Sequence, residues 1–158
     1  MAGREQVEKK RPVVLAAGVF DLLHLGHVKF LEEAKKAGGK EAELIVIVAR
    51  DKTVEQRKGE KTVMSENQRR ALVESLKVVD EAILGFEDFN IGDVIRKIKP
   101  DVIALGHDQA SIGETVKKAI SEMGLNIKVV RIGKFGEDEL NSSSEIKRKI
   151  IELYRRHY

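Results

Sequence analysis

The sequence contains no cysteine and no tryptophan, only two prolines, and few aromatic residues, namely five phenylalanines and two tyrosines. Without cysteine the protein has no disulfide, no Cys-ligated zinc site and no thiol nucleophile. Aromatic residues this sparse, and not interleaved with basic ones, are atypical of RNA-binding surfaces, so we expect no nucleic-acid partner. No apolar run is long enough to span a bilayer, and residues 1–11 lack the apolar segment of a secretory signal. We therefore expect a cytoplasmic protein that does not bind membranes.

Charge and length indicate a single globular domain. Charged residues make up 35% of the 158 residues, hydrophobic residues make up 42%, and the net charge is +3. A chain of this length can build one well-buried core. We expect a flexible charged arm over residues 1–11 and one domain over residues 12–158. The small positive charge does not require nucleic acid, because a polyanionic small molecule would explain it equally well.

Strand and helix signals alternate along the chain about five times. Apolar runs typical of buried strands occur at residues 13–17, 43–49, 81–84, 102–105 and 127–132. Helix starts are predicted at residue 25 and after four capping residues, Ser65, Asn90, Ser111 and Ser142. Residues 50–61 are typical of a loop or a short helix. The alternation predicts an α/β fold, a three-layer sandwich in which a parallel sheet of about five strands carries helices on both faces.

Unusual polar residues follow the carboxyl ends of the predicted strands. They lie in residues 18–27, 50–61, 106–109 and 133–144. Parallel sheets of this kind bind their ligands in the crevice beyond the carboxyl ends of the strands. We therefore expect the functional site at this edge of the sheet, built from residues that are far apart in the sequence.

Residues 18–27, GVFDLLHLGH, join the first predicted strand to the first predicted helix. A turn of this kind is an anion site, because unpaired N–H groups and the positive end of the helix dipole point out of it. His24 and His27 lie three residues apart, so that both imidazoles can point to one side, and Gly26 allows a ligand to approach the backbone. Two ring donors together with backbone N–H groups suit a triphosphate whose charge grows during the reaction.

The letters HLGH at residues 24–27, preceded by GVFD at 18–21, resemble the HxGH signature of the nucleotidyltransferase superfamily. Within it, the chain is most similar to the cytidylyltransferase-like branch, and there to the archaeal FAD synthases. The resemblance implies a Rossmann-like fold and attack by a substrate phosphate on the α-phosphorus of a nucleoside triphosphate, with release of pyrophosphate. It makes His24 and His27 catalytic, and the N–H groups of Val19 and Phe20 phosphate ligands. It also implies a divalent cation, Mg²⁺ or similar, that bridges the phosphates.

The same resemblance assigns four further polar residues. Asp21 matches a position near the metal and the acceptor phosphate, although a turn-forming or capping role would explain it equally well. Lys58 and Lys61 match basic residues that reach the phosphates, Lys58 on the acceptor side and Lys61 on the nucleotide side. Arg50 and Arg57 compete for this role, and a solvated charged loop would also explain these residues. Arg69 matches an arginine near the nucleotide, and we favour it over the neighbouring Arg70.

Two later segments belong to the nucleotide side. Gly106 and Asp108 lie in the letters GHDQ after the fourth predicted strand, where a glycine permits close approach and backbone groups can bind a base edge. Ser142, Ser143 and Ser144 match the family's second signature, in which hydroxyl and N–H groups at a helix start hold the β- or γ-phosphate. The serines can also form an ordinary helix cap, and the two roles are compatible.

The activities that are possible for this family differ in the acceptor substrate. The GHDQ segment, and the absence of an Arg-Thr-x-Gly sequence before the serines, resemble the FAD synthases, so we expect ATP as the donor and FMN as the acceptor. The candidates to stack on a flavin are Phe20, Phe86, Phe89 and Phe135, of which Phe135 is best placed, although each could be core packing. The alternatives are CTP-dependent transfer to glycerol 3-phosphate or another phosphorylated alcohol, and a nucleotide-binding regulator without turnover. The resemblance also implies a homodimer.

Overall fold

The computed structural model describes residues 10–88, 90–136 and 141–157. These residues form five strands, β1 (Val13–Gly18), β2 (Glu43–Val48), β3 (Glu81–Leu84), β4 (Val102–Leu105) and β5 (Lys128–Arg131). All neighbouring strands are parallel, in the order β3-β2-β1-β4-β5. The predicted five-stranded parallel sheet is therefore confirmed. Most of the predicted arm (residues 1–9) and the candidate Phe89 lie outside the described residues.

The described residues also form six helices, α1 (Leu25–Ala37), α2 (Asp51–Lys58), α3 (Glu66–Glu74), α4 (Ile91–Ile98), α5 (Ala110–Glu122) and α6 (Ser143–Arg155). Two apolar clusters cover opposite faces of the sheet. One includes Leu31 of α1 and Val73 of α3, and the other includes Ile95 of α4 and Val116 of α5. The predicted three-layer sandwich is therefore confirmed. None of these six helices is long and apolar enough to cross a membrane.

Three of the four predicted capping residues begin their helices. The side chains of Ser65 and Ser142 each accept a hydrogen bond from the backbone N–H three residues later, and the Asn90 side chain accepts bonds from the first turn of α4. The prediction for Ser111 is wrong, because α5 begins at Ala110 and Gln109 occupies the capping position. Ser111 instead lies in the first turn of the helix.

Strand pairing ends unevenly at the carboxyl edge of the sheet. β1 stays paired with β2 as far as Gly18, and β4 stays paired with β5 as far as Leu105. Between β1 and β4 the pairing stops earlier, at Ala16 and Ala104. These two strands lie where the order of the sheet reverses, which is where α/β proteins of this type bind ligands. The crevice at this position is therefore open between β1 and β4.

Candidate active site

The loop between β1 and α1 has unusual backbone geometry. Phe20 and Leu22 have φ angles of 54° and 52°, in the left-handed region that bulky residues rarely adopt. Phe20 is buried in the core, and a Cβ on Gly18 would lie 2.9 Å from its ring. The glycine therefore allows the ring to turn back under the end of β1, and burial of the ring offsets the backbone strain of the loop.

His24 and His27 lie together at the start of α1. Their rings are stacked, with centroids 3.8 Å apart and an interplanar angle of 25°. The backbone N–H of His24 donates to Nδ1 of His27 over 3.3 Å. Because Nδ1 accepts this bond, neutral His27 carries its proton on Nε2, which remains available as a donor. Nδ1 of His24 is buried and has no hydrogen-bond partner among the described residues. The structure therefore brings the two predicted catalytic rings into contact.

Gly26 allows the helix start to pack closely against its surroundings. A Cβ at this position would lie 2.9 Å from the His24 ring and 3.2 Å from the backbone oxygen of Asn141. A side chain here would push the histidine ring aside and separate α1 from the segment that precedes α6. The glycine of the HxGH sequence thus lets the two phosphate-binding segments predicted from the sequence approach each other.

Burial keeps both histidines neutral. It lowers the pKa of His27 to about 4, with a further decrease from His24, while Asp108 and Asp21 oppose the shift. Burial also lowers the pKa of His24, against an opposing effect of Glu145. At neutral pH both rings are therefore uncharged hydrogen-bond donors. A triphosphate placed beside them would favour the protonated forms and raise both pKa values.

We expect acid to destabilise the protein partly through His27. The unfolded chain protonates this residue near its ordinary pKa of 6.5, whereas the folded protein does so only near 4. Between these values the unfolded state binds more protons, so the free energy of unfolding falls as the pH is lowered. Denaturant unfolding of the wild type and of His27→Asn across this window measures the effect. An equal loss of stability in both proteins would contradict the shifted pKa.

Asp21 connects three segments around the loop. Its buried carboxylate accepts hydrogen bonds from the backbone N–H groups of Val63 and Met64, over 2.8 and 3.0 Å. The hydroxyl of Ser143 donates to the Asp21 backbone oxygen, and Nζ of Lys147 lies 3.7 Å from the carboxylate. Asp21 therefore holds residues 63 and 64 and the start of α6 against the loop. Its predicted contact with metal and acceptor phosphate stays a prediction.

Arg69 has a different position from the one predicted. It is fully buried, so its guanidinium has no surface for the expected contact with a nucleotide. Its nitrogens donate to the backbone oxygens of Val19 and Met64 and to the carboxylate of Asp51, over 2.7, 3.0 and 2.6 Å. In this arrangement Arg69 stabilises the loop between β1 and α1 and does not itself face a ligand. The sequence contained a signal for this burial, because Arg69 lies four residues before the buried Val73 on the same face of α3.

Asp51, which the sequence did not single out, completes this network. Burial raises the pKa of its carboxyl, but hydrogen bonds from Arg69, from the Glu66 N–H and from Thr62 outweigh that effect, and the pKa lies below its usual range. The carboxylate therefore stays charged opposite the buried guanidinium. Together, Asp51 and Asp21 hold the segment between α2 and α3, residues 59–65, on both sides of Arg69.

The predicted basic residues lie on this same segment or at its edge. Lys58 ends α2 and Lys61 follows it, and both are exposed. Arg50, which could have served in their place, is engaged elsewhere, because it donates to the Gly85 backbone oxygen over 2.6 Å and to Glu66 over 3.2 Å. Arg57, Lys58 and Lys61 are all exposed at the end of α2 or just after it, so which of them contacts a phosphate stays a prediction.

The residues after β4 lie across the crevice from the histidines. Gly106 is buried, and its N–H donates to Oε1 of Gln109 over 2.8 Å, so this N–H is not free to bind a base. Asp108 is exposed, and its charge is near enough to His27 to act on the pKa of that ring. The sequence placed Gly106 and Asp108 near the nucleotide, but it did not reveal the bond made by Gln109.

The three serines have different surroundings. Ser142 caps α6 through the N–H of Glu145 over 3.1 Å, and Ser143 is bonded to the Asp21 backbone oxygen. Ser144 is exposed. Of the three hydroxyls, that of Ser144 is therefore the most accessible to a ligand. Through Ser143 the helix start lies against the loop between β1 and α1, and its role as a phosphate site stays a prediction.

The three aromatic candidates that the structure describes do not converge on one surface. Phe20 is part of the core, and Phe86 is half-buried beneath Nζ of Lys97, which lies 4.8 Å from the centre of its ring. Phe135 packs against the core that contains Phe20, and it lines an open groove of about 450 Å³ between α1 and the end of β5. Its predicted contact with the acceptor stays a prediction.

Comparisons with known proteins identify the family of this chain. The cytidylyltransferase-like family matches residues 15–149. The FAD synthase of Picrophilus torridus is 47% identical over 90% of this chain and 99% of its own length, and that of Ferroglobus placidus is 50% identical over 89% and 88%. A solved structure from Thermoplasma volcanium, described as a lipopolysaccharide core biosynthesis protein, is 43% identical with a TM-score of 0.72, and covers 80% of this chain and 100% of its own. The chain belongs to the cytidylyltransferase-like family of nucleotidyltransferases.

Proposed function

We propose that this protein is an FAD synthase, which transfers AMP from ATP to FMN and releases pyrophosphate. The observation that carries the proposal is the contact of His24 with His27 at the mouth of the open crevice, in a chain that matches FAD synthases along about 90% of its length. A regulator that only bound nucleotide would not need both rings as donors.

The reaction requires no covalent intermediate with the protein. An oxygen of the FMN phosphate attacks the α-phosphorus of ATP, and the bond from that phosphorus to the oxygen bridging the β-phosphate breaks. Negative charge grows on the phosphoryl oxygens and on the departing pyrophosphate. Neutral His27 donates from Nε2, and His24 donates from the adjacent stacked ring, so both stabilise this charge. The remaining work is alignment of the two substrates.

We assign phosphate binding to the two segments that Asp21 connects to the loop, namely α6 and the segment between α2 and α3. The first turn of α6 presents N–H groups and the positive end of the helix dipole beside the loop. Lys147 on the same helix has a side chain that is 35% exposed and only loosely paired with Asp21, so it can turn toward a phosphate. Lys61 contributes from the segment between α2 and α3. Lys147 was not identified from the sequence, although it lies on the helical face of Ser143, four residues away.

Alanine substitutions should separate the serines by role. Ser144→Ala is expected to raise the KM for ATP without changing stability, because its hydroxyl is exposed beside the phosphate site. Ser142→Ala should lower the free energy of unfolding by about 1 kcal/mol, because α6 loses its cap. Steady-state kinetics and denaturant unfolding measure the two effects. An unchanged KM in Ser144→Ala would contradict a role for this hydroxyl in nucleotide binding.

A divalent cation is proposed to arrive with the phosphates. The described residues contain no cluster of three potential metal-ligating side chains, and Mg²⁺ commonly binds through substrate phosphates plus one or two carboxylates. Asp21, which the resemblance assigns to the metal, and Asp108, which is exposed after β4, are the carboxylates that we propose for this role. When bound, such an ion would neutralise charge on the phosphates.

The cytoplasmic location expected from the sequence remains a prediction.

A substrate screen tests the proposed function. Purified protein is incubated with ATP or CTP, each paired with FMN or glycerol 3-phosphate, in the presence of Mg²⁺ or Mn²⁺. We expect pyrophosphate and FAD only from ATP with FMN, and neither product from His27→Ala. Product formation from CTP and glycerol 3-phosphate alone would instead establish the cytidylyltransferase activity.

The homodimer implied by the family is proposed to form through α6. The second half of this helix is exposed, and Ile150, Ile151 and Leu153 are 56%, 51% and 45% accessible. A short helix is marginally stable in water unless another surface covers its apolar face. In an antiparallel pair centred between Ile150 and Ile151, Glu152 would lie opposite Lys149 of the second copy, so the charges are complementary.

Sedimentation of wild type and of Ile150→Glu at matched concentrations tests the dimer. We expect a dimer for the wild type and a monomer for the variant, since the introduced charge would be buried between the two helices. Leu125→Glu is the control, because Leu125 is similarly accessible, at 44%, but does not lie on α6. A monomeric wild type, or a dimer that survives Ile150→Glu, would contradict this interface.

A further inference from the structure

We propose that Gln109 is a positioning residue that keeps the carboxyl ends of β1 and β4 apart and so sets the width of the crevice that binds the nucleotide. The inference deepens the proposed function and rests on it, because ATP is taken as the ligand of this crevice. Gln109 is therefore assigned a role in catalysis without contact with either substrate.

The side chain of Gln109 bridges two strands. Its Oε1 accepts the N–H of Gly106 over 2.8 Å, and its Nε2 donates to the backbone oxygen of Ala17 over 3.0 Å. Gly106 follows the end of β4 and Ala17 is the last residue but one of β1. One carboxamide thus satisfies two backbone groups that face each other across the opening of the sheet.

These two backbone groups would otherwise bond to each other. Where β1 pairs with β2, Gly18 lies opposite Val48, and the Gly18 oxygen accepts the N–H of the following residue, Ala49, over 2.9 Å. The pairing of β1 with β4 ends one residue before Ala17. By the same pattern, the next bond of that ladder would join the Ala17 oxygen to the Gly106 N–H. The Gln109 carboxamide takes the place of this bond, as an inserted peptide group would.

The consequence is a wider crevice at low energetic cost. Strands that part normally leave unpaired N–H and C=O groups, which are costly when buried. Gln109 satisfies both groups while holding the strands farther apart than a direct bond would allow. The loop between β1 and α1, which carries the histidines, begins at the end of β1, and Asp108 is the neighbour of Gln109 in the chain. The distance between this loop and Asp108 therefore depends on the Gln109 bridge.

Three variants test the role of Gln109. In Gln109→Ala we expect β1 and β4 to close by one further bond, so that the Gly106 amide stays protected from hydrogen exchange while the affinity for ATP and kcat both fall by about a hundredfold. In Gln109→Glu the ionised side chain can accept from Gly106 but cannot donate to Ala17. Its activity relative to wild type should therefore recover as the pH is lowered and the carboxyl becomes a donor. Gln68→Glu, on the exposed surface of α3, is the control and should behave as wild type.

Distinct results would overturn the proposal. Wild-type affinity for ATP in Gln109→Ala, or a ratio of Gln109→Glu to wild-type activity that does not change with pH, would show that the bridge does not set the crevice. Loss of stability in Gln109→Ala with an unchanged KM for ATP would show a structural role alone. ATP binding and amide exchange do not require FMN turnover. A protein that binds ATP but makes no FAD would therefore refute the proposed acceptor while these measurements still decide the role of Gln109.

Discussion

His27→Ala is expected to lower kcat for FAD formation by about a hundredfold to a thousandfold while the protein remains folded. Nε2 of His27 is the donor left available once Nδ1 accepts the His24 N–H, and burial keeps the ring neutral and fixed beside its partner. A donor positioned in advance contributes mainly in the transition state, where the phosphoryl charge is largest. The loss should therefore appear in kcat more than in the KM for ATP.

His107→Ala is the matched control for this experiment. His107 is also near the crevice, but it is exposed in the turn after β4, so its removal should leave kcat and Tm unchanged. His24→Ala should resemble His27→Ala, because the stacked rings act on the same phosphates. Near-normal turnover by either variant of the pair, with an unchanged Tm, would remove the histidines from catalysis.

Arg69→Met is expected to lower the free energy of unfolding by about 3 kcal/mol and to abolish most activity. Methionine retains much of the apolar volume but leaves the partly buried oxygens of Val19 and Met64 without a donor. The carboxylate of Asp51 is 46% exposed and can be rehydrated, so the cost arises mainly from the two backbone oxygens. Activity should fall with stability because Val19 belongs to the loop of the histidines.

Arg70→Met provides the comparison from the next position in the chain. Arg70 pairs with Glu74 on the surface of α3 over 2.8 Å, and pairs of this kind contribute less than about 1 kcal/mol. Denaturant unfolding of both variants measures the difference. Equal stabilities for the two variants would contradict the role assigned to Arg69. Full activity of Arg69→Met at a temperature where it is folded would confine that role to stability.

The sheet could be predicted from the sequence because its strands are covered on both faces. Runs such as ELIVIV in β2 have no polar alternation, and the alternation with helices then determines a parallel sheet. The helix caps Ser65, Asn90 and Ser142 could also be predicted, because a capping residue bonds to the first turn of its own helix. The contact between the two histidines could be predicted for the same reason, because the HxGH sequence and the strand before it are only a few residues apart.

The remaining features depend on contacts between distant residues. Ser111 and Glu114 have the spacing of a capping box, yet α5 starts earlier because the residues before it turn toward β1. Arg69 was expected at the ligand because the family resemblance has an arginine there. Its burial depends on the oxygens of Val19 and Met64, which two other segments supply, and such contacts cannot be predicted from α3 alone. Gln109 lies in the GHDQ segment that the sequence singled out, but its bridge could not be predicted, because its partner Ala17 is 92 residues away.

The central position of β1 determines the order in which the chain can fold. One edge of β1 pairs with β2, where Val13 lies opposite Glu43, but its other edge pairs with β4, and Val13 is bonded to Asp101, 88 residues later. The loop of the histidines is completed later still, by Ser143, which is 122 residues from Asp21. Closing such long loops is entropically costly, and contacts of high sequence separation form slowly. During refolding, the helical circular dichroism signal should therefore return before enzymatic activity, and a nascent chain should become active only after α6 has been synthesised.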